Sequence, residues 1–348
     1  MARMANIIIR PDWHIPEREI TPEDVYRNRR RFLKQLGIAG AGALSTQMLG
    51  CSGGSESAAS GGGGGNPVSP AESADGAVSE RASSSSSSDN PVKRNADYDP
   101  GWDLSNEGKV LTYNNFYEFT TVKEDVHKKV AGFPTDPWKV EVSGMVEKPM
   151  TLDIADILKD FPIEERVYKF RCVEAWGMTV PWQGFPLRML LEKVQPKSSA
   201  KFVKFTTGGG PKEYPNWVRL ILQGYPLPYT EGLRLDEAMH DLTLVGTGLY
   251  GRSLKVQNGA PIRLVVPWKY GYKSIKSINK IELVDKQPAT LWNALSPKEY
   301  PFESNVEPEV PHPRWSQATH RMIDTGRRVR TEYLNGYADQ VGSLYKKG

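Results

Sequence analysis

The residues best equipped for chemistry lie in one short stretch, Tyr168-Lys169-Phe170-Arg171-Cys172-Val173-Glu174-Ala175-Trp176. Cys172 is the sole cysteine of the region that reads as folded. It stands between a strand expected at Arg166 to Phe170 and a Trp/Gly/Pro-rich loop from Trp176 to Pro186. A soft thiolate at the mouth of a pocket can hold a soft metal centre, and the competing reading is a buried small hydrophobe. Glu174 comes two residues later. In an extended chain it shares a face with Cys172, as a proton donor or as a structural carboxylate.

Two further stretches carry polar groups with a purpose. Trp268 to Lys276 follows an apolar strand, Ile262 to Val266, and sets Lys269, Lys273 and Lys276 around Gly271. Such a loop suits an anionic phosphate, and the competing reading is a solvated hairpin. Asn258-Gly259-Ala260-Pro261 makes a turn that leads into Arg263. Asn114-Asn115-Phe116-Tyr117-Glu118-Phe119 sets polar groups among aromatics, as a site or as a turn with amide caps.

Other chemistries find no pattern. The five histidines are scattered, with no His-Glu-x-x-His and no paired zinc spacing. Haem attachment and dinucleotide fingerprints are absent from the sequence, and Gly208-Gly209-Gly210-Pro211 lacks phosphate-loop spacing. Redox work by this chain therefore needs electrons from another protein.

The elements that must position these residues follow a long leader. Asn28-Arg29-Arg30-Arg31-Phe32-Leu33-Lys34 precedes a short glycine-diluted apolar run and resembles a twin-arginine export signal, so 1–50 reads as a signal peptide. Met48-Leu49-Gly50-Cys51-Ser52 resembles a lipoprotein processing site, in which Cys51 would be the lipidated residue. Behind it, 51–97 is dominated by Ser and Gly and reads as a disordered tether spanning roughly 35 Å. The expected location is the periplasm, free or anchored through Cys51. The first fifty residues hold eight Lys/Arg against five Asp/Glu, which leaves 37 against 36 for the rest. A body that close to neutral gives nucleic acid no footprint.

Residues 98–348 read as one folded domain. Strands are expected at Trp138 to Val146, Lys201 to Thr207, Ile262 to Val266 and Ile278 to Val284. Short helices are expected at 151–158, Leu187 to Val194 and Arg234 to Met239. With no long βαβ alternation, the class is a β-rich, mixed α+β domain.

Several motifs in order carry a resemblance: Tyr-Asn-Asn-Phe-Tyr-Glu-Phe (113–119), Arg-Cys-Val-Glu-Ala-Trp (171–176), Glu-Gly-Leu-Arg-Leu-Asp-Glu-Ala-Met (231–239), Gln-Asn-Gly-Ala-Pro-Ile-Arg (257–263), Val-Pro-Trp-Lys-Tyr-Gly-Tyr-Lys-Ser-Ile-Lys (266–276) and His-Pro-Arg-Trp-Ser-Gln-Ala-Thr (312–319). Together they resemble the catalytic subunit of the bacterial periplasmic protein-methionine-sulfoxide reductases, molybdoenzymes of the sulfite oxidase fold. The resemblance implies a mononuclear molybdenum held by one molybdopterin and by Cys172. It implies pterin contacts at Asn114, Tyr117, Glu118, Thr207 (or Thr206 beside it), Asn258, Arg263, Ser274, Ile275 and Lys276. It also implies a haem-binding integral membrane subunit as electron donor, oxidised periplasmic proteins as substrates, and no homo-oligomer. Trp176 and Tyr117 are expected as apolar pocket walls. The basic loop with Arg263 is expected to meet the pterin phosphate. The alternatives are a sulfite oxidase of the same fold, whose dianionic substrate calls for more arginine than Arg171 alone, and a metal-free ligand-binding lipoprotein.

Overall fold

The computed structural model describes residues 92–345. The expected signal peptide and the tether as far as residue 91 lie outside the described residues. The end of that expected tether, 92–97, is packed rather than free. Asn95 N donates to Glu165 O at 2.8 Å, Glu165 N donates to Lys93 O at 2.9 Å, and Arg94 pairs with the Glu165 carboxylate at 2.7 Å. The segment covers a strand edge whose backbone groups would otherwise lack partners.

Two sheets make the frame. The first contains β1 (Lys139–Gly144), β2 (Met150–Asp153), β5 (Phe202–Thr207), β6 (Thr230–Arg234) and β10 (Ile278–Val284), in the order β2-β1-β10-β5-β6. Alternation builds it: Val140 and Val142 are buried while Lys139 and Glu141 are exposed, and Val203, Phe205 and Thr207 point inward from β5. The second sheet is organised around β4 (Trp176–Pro186). One edge of β4 pairs along its length with β3 (Glu164–Cys172). The other pairs with β11 (Thr319–Met322) at its start and β7 (Leu244–Leu249) at its end. β8 (Arg252–Ser253), β9 (Arg263–Val265) and β12 (Arg328–Arg330) complete it.

Helices are short, as expected. Leu187–Val194 buries Leu187, Leu190, Leu191 and Val194, the i, i+3, i+4, i+7 stripe of an amphipathic helix. Among the described residues no helix is long and apolar enough to cross a membrane. The α+β, sheet-rich class stands.

Two expectations need correction. Thr151 does not open a helix: Met150–Asp153 pairs with β1, and the helix runs Ile154–Asp160 with Leu158 exposed. The segment Trp176–Pro186 is a fully buried strand, not a loop. Its breakers fit local gaps. Pro181 falls after the β11 pairing and before the β7 pairing, so its missing N–H costs no ladder bond there. Gly184 sits where the register with β7 shifts, and a Cβ there would meet Val245 O at 2.1 Å.

Candidate active site

β3 and β4 meet in a three-residue turn, with Cys172 opposite Trp176 and Ala175 in the left-handed region at φ 59°. Ala175 N donates back to Cys172 O at 3.1 Å. This turn, rather than an extended run, brings Cys172 and Glu174 together. Glu174 N donates to Cys172 Sγ at 3.5 Å, and its Oε2 lies 3.7 Å from the sulfur. Asn115 Nδ2 bridges the two, 3.5 Å from Sγ and 2.9 Å from Glu174 Oε2.

The turn opens into a cleft. All eleven residues expected from the sequence line it: Cys172, Glu174, Asn114, Tyr117, Glu118, Thr207, Asn258, Arg263, Ser274, Ile275 and Lys276. They arrive from distant elements: the segment before β1, the β3–β4 turn, the end of β5, the turn before β9 with the first residue of that strand, and the loop before β10. Of Thr206 and Thr207 it is Thr207, the inward residue of β5, that lines the cleft, and its Oγ1 donates to Lys276 O at 2.9 Å. Trp176 lines the cleft as expected, packed edge-to-face on Tyr113 at 5.2 Å.

Electrostatics divide the cleft. Glu174 is drawn toward a raised pKa by burial, but Asn115, the Lys123 ammonium at 3.0 Å and the Trp176 indole at 3.3 Å outweigh it and hold the carboxyl below its usual range. It is an ionised acceptor, which makes it a poor proton donor unaided. Burial, then the Glu174 charge, push the Cys172 thiol up to about 12; a bound cationic metal reverses that by taking the thiolate as ligand. On the far side, burial lowers Arg263 to about 9. Burial and then the Arg263 charge lower Lys276 to about 7. Burial raises Glu118 to about 7.

The basic loop is only partly what the sequence suggests. Lys269 and Lys273 are fully buried and turn away from the cleft, to Glu237 at 2.6 Å and Glu231 at 2.7 Å. Neither is available to a phosphate. Arg263 has no carboxylate partner among the described residues and donates to the carbonyls of Asn258, Ser274 and Leu264 at 2.7, 2.9 and 3.2 Å. Lys276 Nζ donates to Asn115 O at 2.7 Å. Gly271 lets the loop press on Phe170, whose ring lies 2.4 Å from where a Cβ would stand.

Arg171 also departs from expectation. Alternation along β3 turns it away from the cleft, to Gln317 and Thr331. The loop 208–217 braces the cleft without lining it, through Asn216 N to Glu118 O at 2.9 Å and Asn216 Nδ2 to Tyr117 O at 2.7 Å. The sequence reading missed Lys123 and the aromatic group Tyr225, Trp292 and Tyr300. Trp292 is the hub, with centroids at 5.4 Å to Tyr117, 6.0 Å to Tyr225 and 5.1 Å to Tyr300. No local pattern marks these three. Asn115 was within reach, since it lies inside a motif already singled out.

A phosphate-bearing, multiply hydrogen-bonding cofactor fits this set. The side-chain oxygens of Asn114, Asn115 and Asn258 are buried without a donor, and Arg263 is a buried cation without an anion. Among the described residues no group of three His, Cys, Asp or Glu side chains could hold a metal by protein ligands alone. A metal at Cys172 therefore depends on ligands from a cofactor.

Comparison with known proteins supplies that cofactor. Residues 127–292 match the family described as "Oxidoreductase molybdopterin binding domain". Among solved structures, the chain is similar to the sulfane dehydrogenase SoxCD from Paracoccus pantotrophus, at 16% identity and a TM-score of 0.40. That alignment covers 69% of this chain and 62% of the other. The family match sets aside the metal-free lipoprotein reading. Residues 127–292 thus match an oxidoreductase molybdopterin-binding domain, and the cofactor is molybdenum-molybdopterin.

Proposed function

We propose that this chain reduces methionine sulfoxide residues of oxidised exported proteins to methionine. The observation that carries the reading is the wall of the cleft. Tyr117, Tyr225, Trp292 and Tyr300 pack on one another there, an ionised Glu174 stands beside Cys172, and among the described residues Arg263 is the sole arginine of the lining. Ring faces and a carboxylate repel a dianion such as sulfite. They suit a neutral sulfoxide with an S-methyl group, since sulfur and polarised methyls pack well on aromatic rings.

The reaction takes a sulfoxide, two electrons and two protons to a sulfide and water. Bound molybdenum would supply the electron pair and accept the oxygen as a Lewis acid. Cys172 would hold the metal. Asn114, Asn258, Thr207, Ser274 and Ile275 would hold the pterin, with Arg263 and Lys276 as charged donors to its phosphate. Tyr117 and Trp176 would confine the substrate side chain. Because Glu174 is ionised, the proton at this end rests on Lys123 Nζ, 3.0 Å from Glu174 Oε2. Glu174 would relay it toward the substrate oxygen, so the pair rather than Glu174 alone is the proton source.

The same proposal includes export by the twin-arginine route, a location in the periplasm, free or anchored through Cys51, and electrons from a haem-binding membrane subunit. These parts rest on the leader motifs and the family resemblance. The test is oxidation of a reduced dye by molybdenum-loaded protein with oxidised casein, with free methionine sulfoxide and, in reverse, with sulfite and an acceptor. Reduction of oxidised casein is expected. Sulfite oxidation without sulfoxide reduction would replace this reading with a sulfite oxidase.

A further inference from the structure

Arg171 is a fully buried guanidinium whose hydrogen-bond partners are all neutral. It donates to the Cys172 carbonyl, to Gln317 Oε1 at 2.7 Å and Gln317 O at 3.3 Å, and to Thr331 Oγ1 at 3.4 Å. The Tyr270 ring lies 5.7 Å away. No carboxylate pairs with it among the described residues. By contrast, buried Arg166 has Glu164 at 2.5 Å, and buried Lys269 and Lys273 have Glu237 and Glu231. Burying a cation without an anion is costly. Arg263 is in the same position, but it faces the cofactor cleft; Arg171 does not line it.

Its surroundings show what it holds. Gln317 accepts from Arg171 with Oε1 and donates from Nε2 to Val173 O at 2.8 Å, and Trp315 Nε1 donates to the same oxygen at 2.8 Å. Two consecutive carbonyls of the cysteine turn are thus clamped from behind. Trp315 and Gln317 lie beyond residue 292, where the family match ends. The anion nearest to Arg171 by chain is the Cys172 thiolate once a metal holds it.

We propose that Arg171 is a positioning residue for the metal ligand. Through Gln317 it fixes the Cys172–Val173 turn, and its uncompensated charge stabilises the thiolate and the electron-rich state of the centre. A fixed positive charge behind the ligand raises the midpoint potential of the metal. The inference rests on Cys172 as the molybdenum ligand and is independent of the substrate.

The experiment compares molybdenum-loaded wild type, Arg171→Gln, Arg171→Lys, Gln317→Leu and Cys172→Ser by molybdenum content, electron paramagnetic resonance and redox titration. Cys172→Ser must change the spectrum; an unchanged spectrum defeats the ligand assignment itself. Arg171→Gln should lower the midpoint potential, and Arg171→Lys should keep it near wild type while slowing turnover. Gln317→Leu keeps the charge and frees the turn, so it should alter the spectrum with little change in potential. If Arg171→Gln and Arg171→Lys shift the potential equally, or neither does while Cys172→Ser alters the spectrum, the inference falls. If Arg171→Gln fails to fold, an unaltered spectrum in Gln317→Leu overturns it as well.

Discussion

Lys269 and Lys273 share a loop with Lys276, and Arg263 enters that loop from the neighbouring strand, yet the four cations divide into two pairs. The first two end on Glu237 and Glu231 at 2.6 and 2.7 Å, sealed from solvent. Lys276 and Arg263 end on backbone carbonyls and line the cleft. A buried cation with its own carboxylate is part of the fold, whereas one left with neutral partners needs an anion from elsewhere. That difference separates the residues that hold the loop from those that would hold the cofactor, although composition alone makes them equivalent.

Breaking the sealed side should cost the most stability. Lys269→Met strands a buried Glu237 and should lower unfolding free energy by about 3–5 kcal/mol, read by urea unfolding of the cofactor-free protein. Adding Glu237→Leu should recover most of the loss, and no recovery would mean the pair does not act as a unit. On the cleft side the signs reverse. Arg263→Met should leave the cofactor-free protein as stable as wild type or more so. Its cofactor retention should fall by about 2–4 kcal/mol, roughly 30- to 1000-fold, measured as molybdenum per folded chain. Equal destabilisation by both variants would erase the distinction.

A pH test sharpens it further. Burial, then the Arg263 charge, hold Lys276 at about 7. An anion favours the charged lysine, so anion binding takes up a proton and weakens as pH rises through about 7. Sulfate, which does not titrate there, should protect the cofactor-free protein against heating more at pH 6 than at pH 8. Lys276→Met should weaken that dependence, leaving the part owed to Glu118, which burial raises to about 7 in the same cleft, and Lys269→Met should leave it unchanged. The smallest effect is expected at Tyr345, whose hydroxyl donates to Glu237 at 2.8 Å on the sealed side. Tyr345→Phe should cost about 0.5–1.5 kcal/mol with molybdenum content unchanged.

Much of the site was legible because its residues sit in short runs of unusual composition. Asn114 to Glu118, Cys172 with Glu174, Asn258 to Arg263 and Ser274 to Lys276 could each be singled out before any fold was known. The strand at Ile278–Val284 and the helix at Leu187–Val194 were legible for another reason: one buried face imposes a period on the chain. The strand Trp176–Pro186 was not, since its neighbours cover both faces and glycine and proline occupy positions where pairing lapses. Composition argued for a loop, and pairing partners from 164–172, 244–249 and 319–322 overruled it.

The sequence by itself determined the residue types: one thiol in the described chain, a carboxylate two positions on, amides and cations in fixed short runs, and a two-residue period where one face is buried. These are local properties, set by covalent neighbours and by the spacing of apolar side chains. Only the tertiary structure decided which cation meets which partner. Lys269 and Glu237, Lys123 and Glu174, and Arg171 and Gln317 are separated by 32, 51 and 146 positions. Coulomb energy and desolvation depend on distance and burial in space, so the charge state of Glu174, the sealing of two lysines and the turn of Arg171 away from the cleft follow from packing.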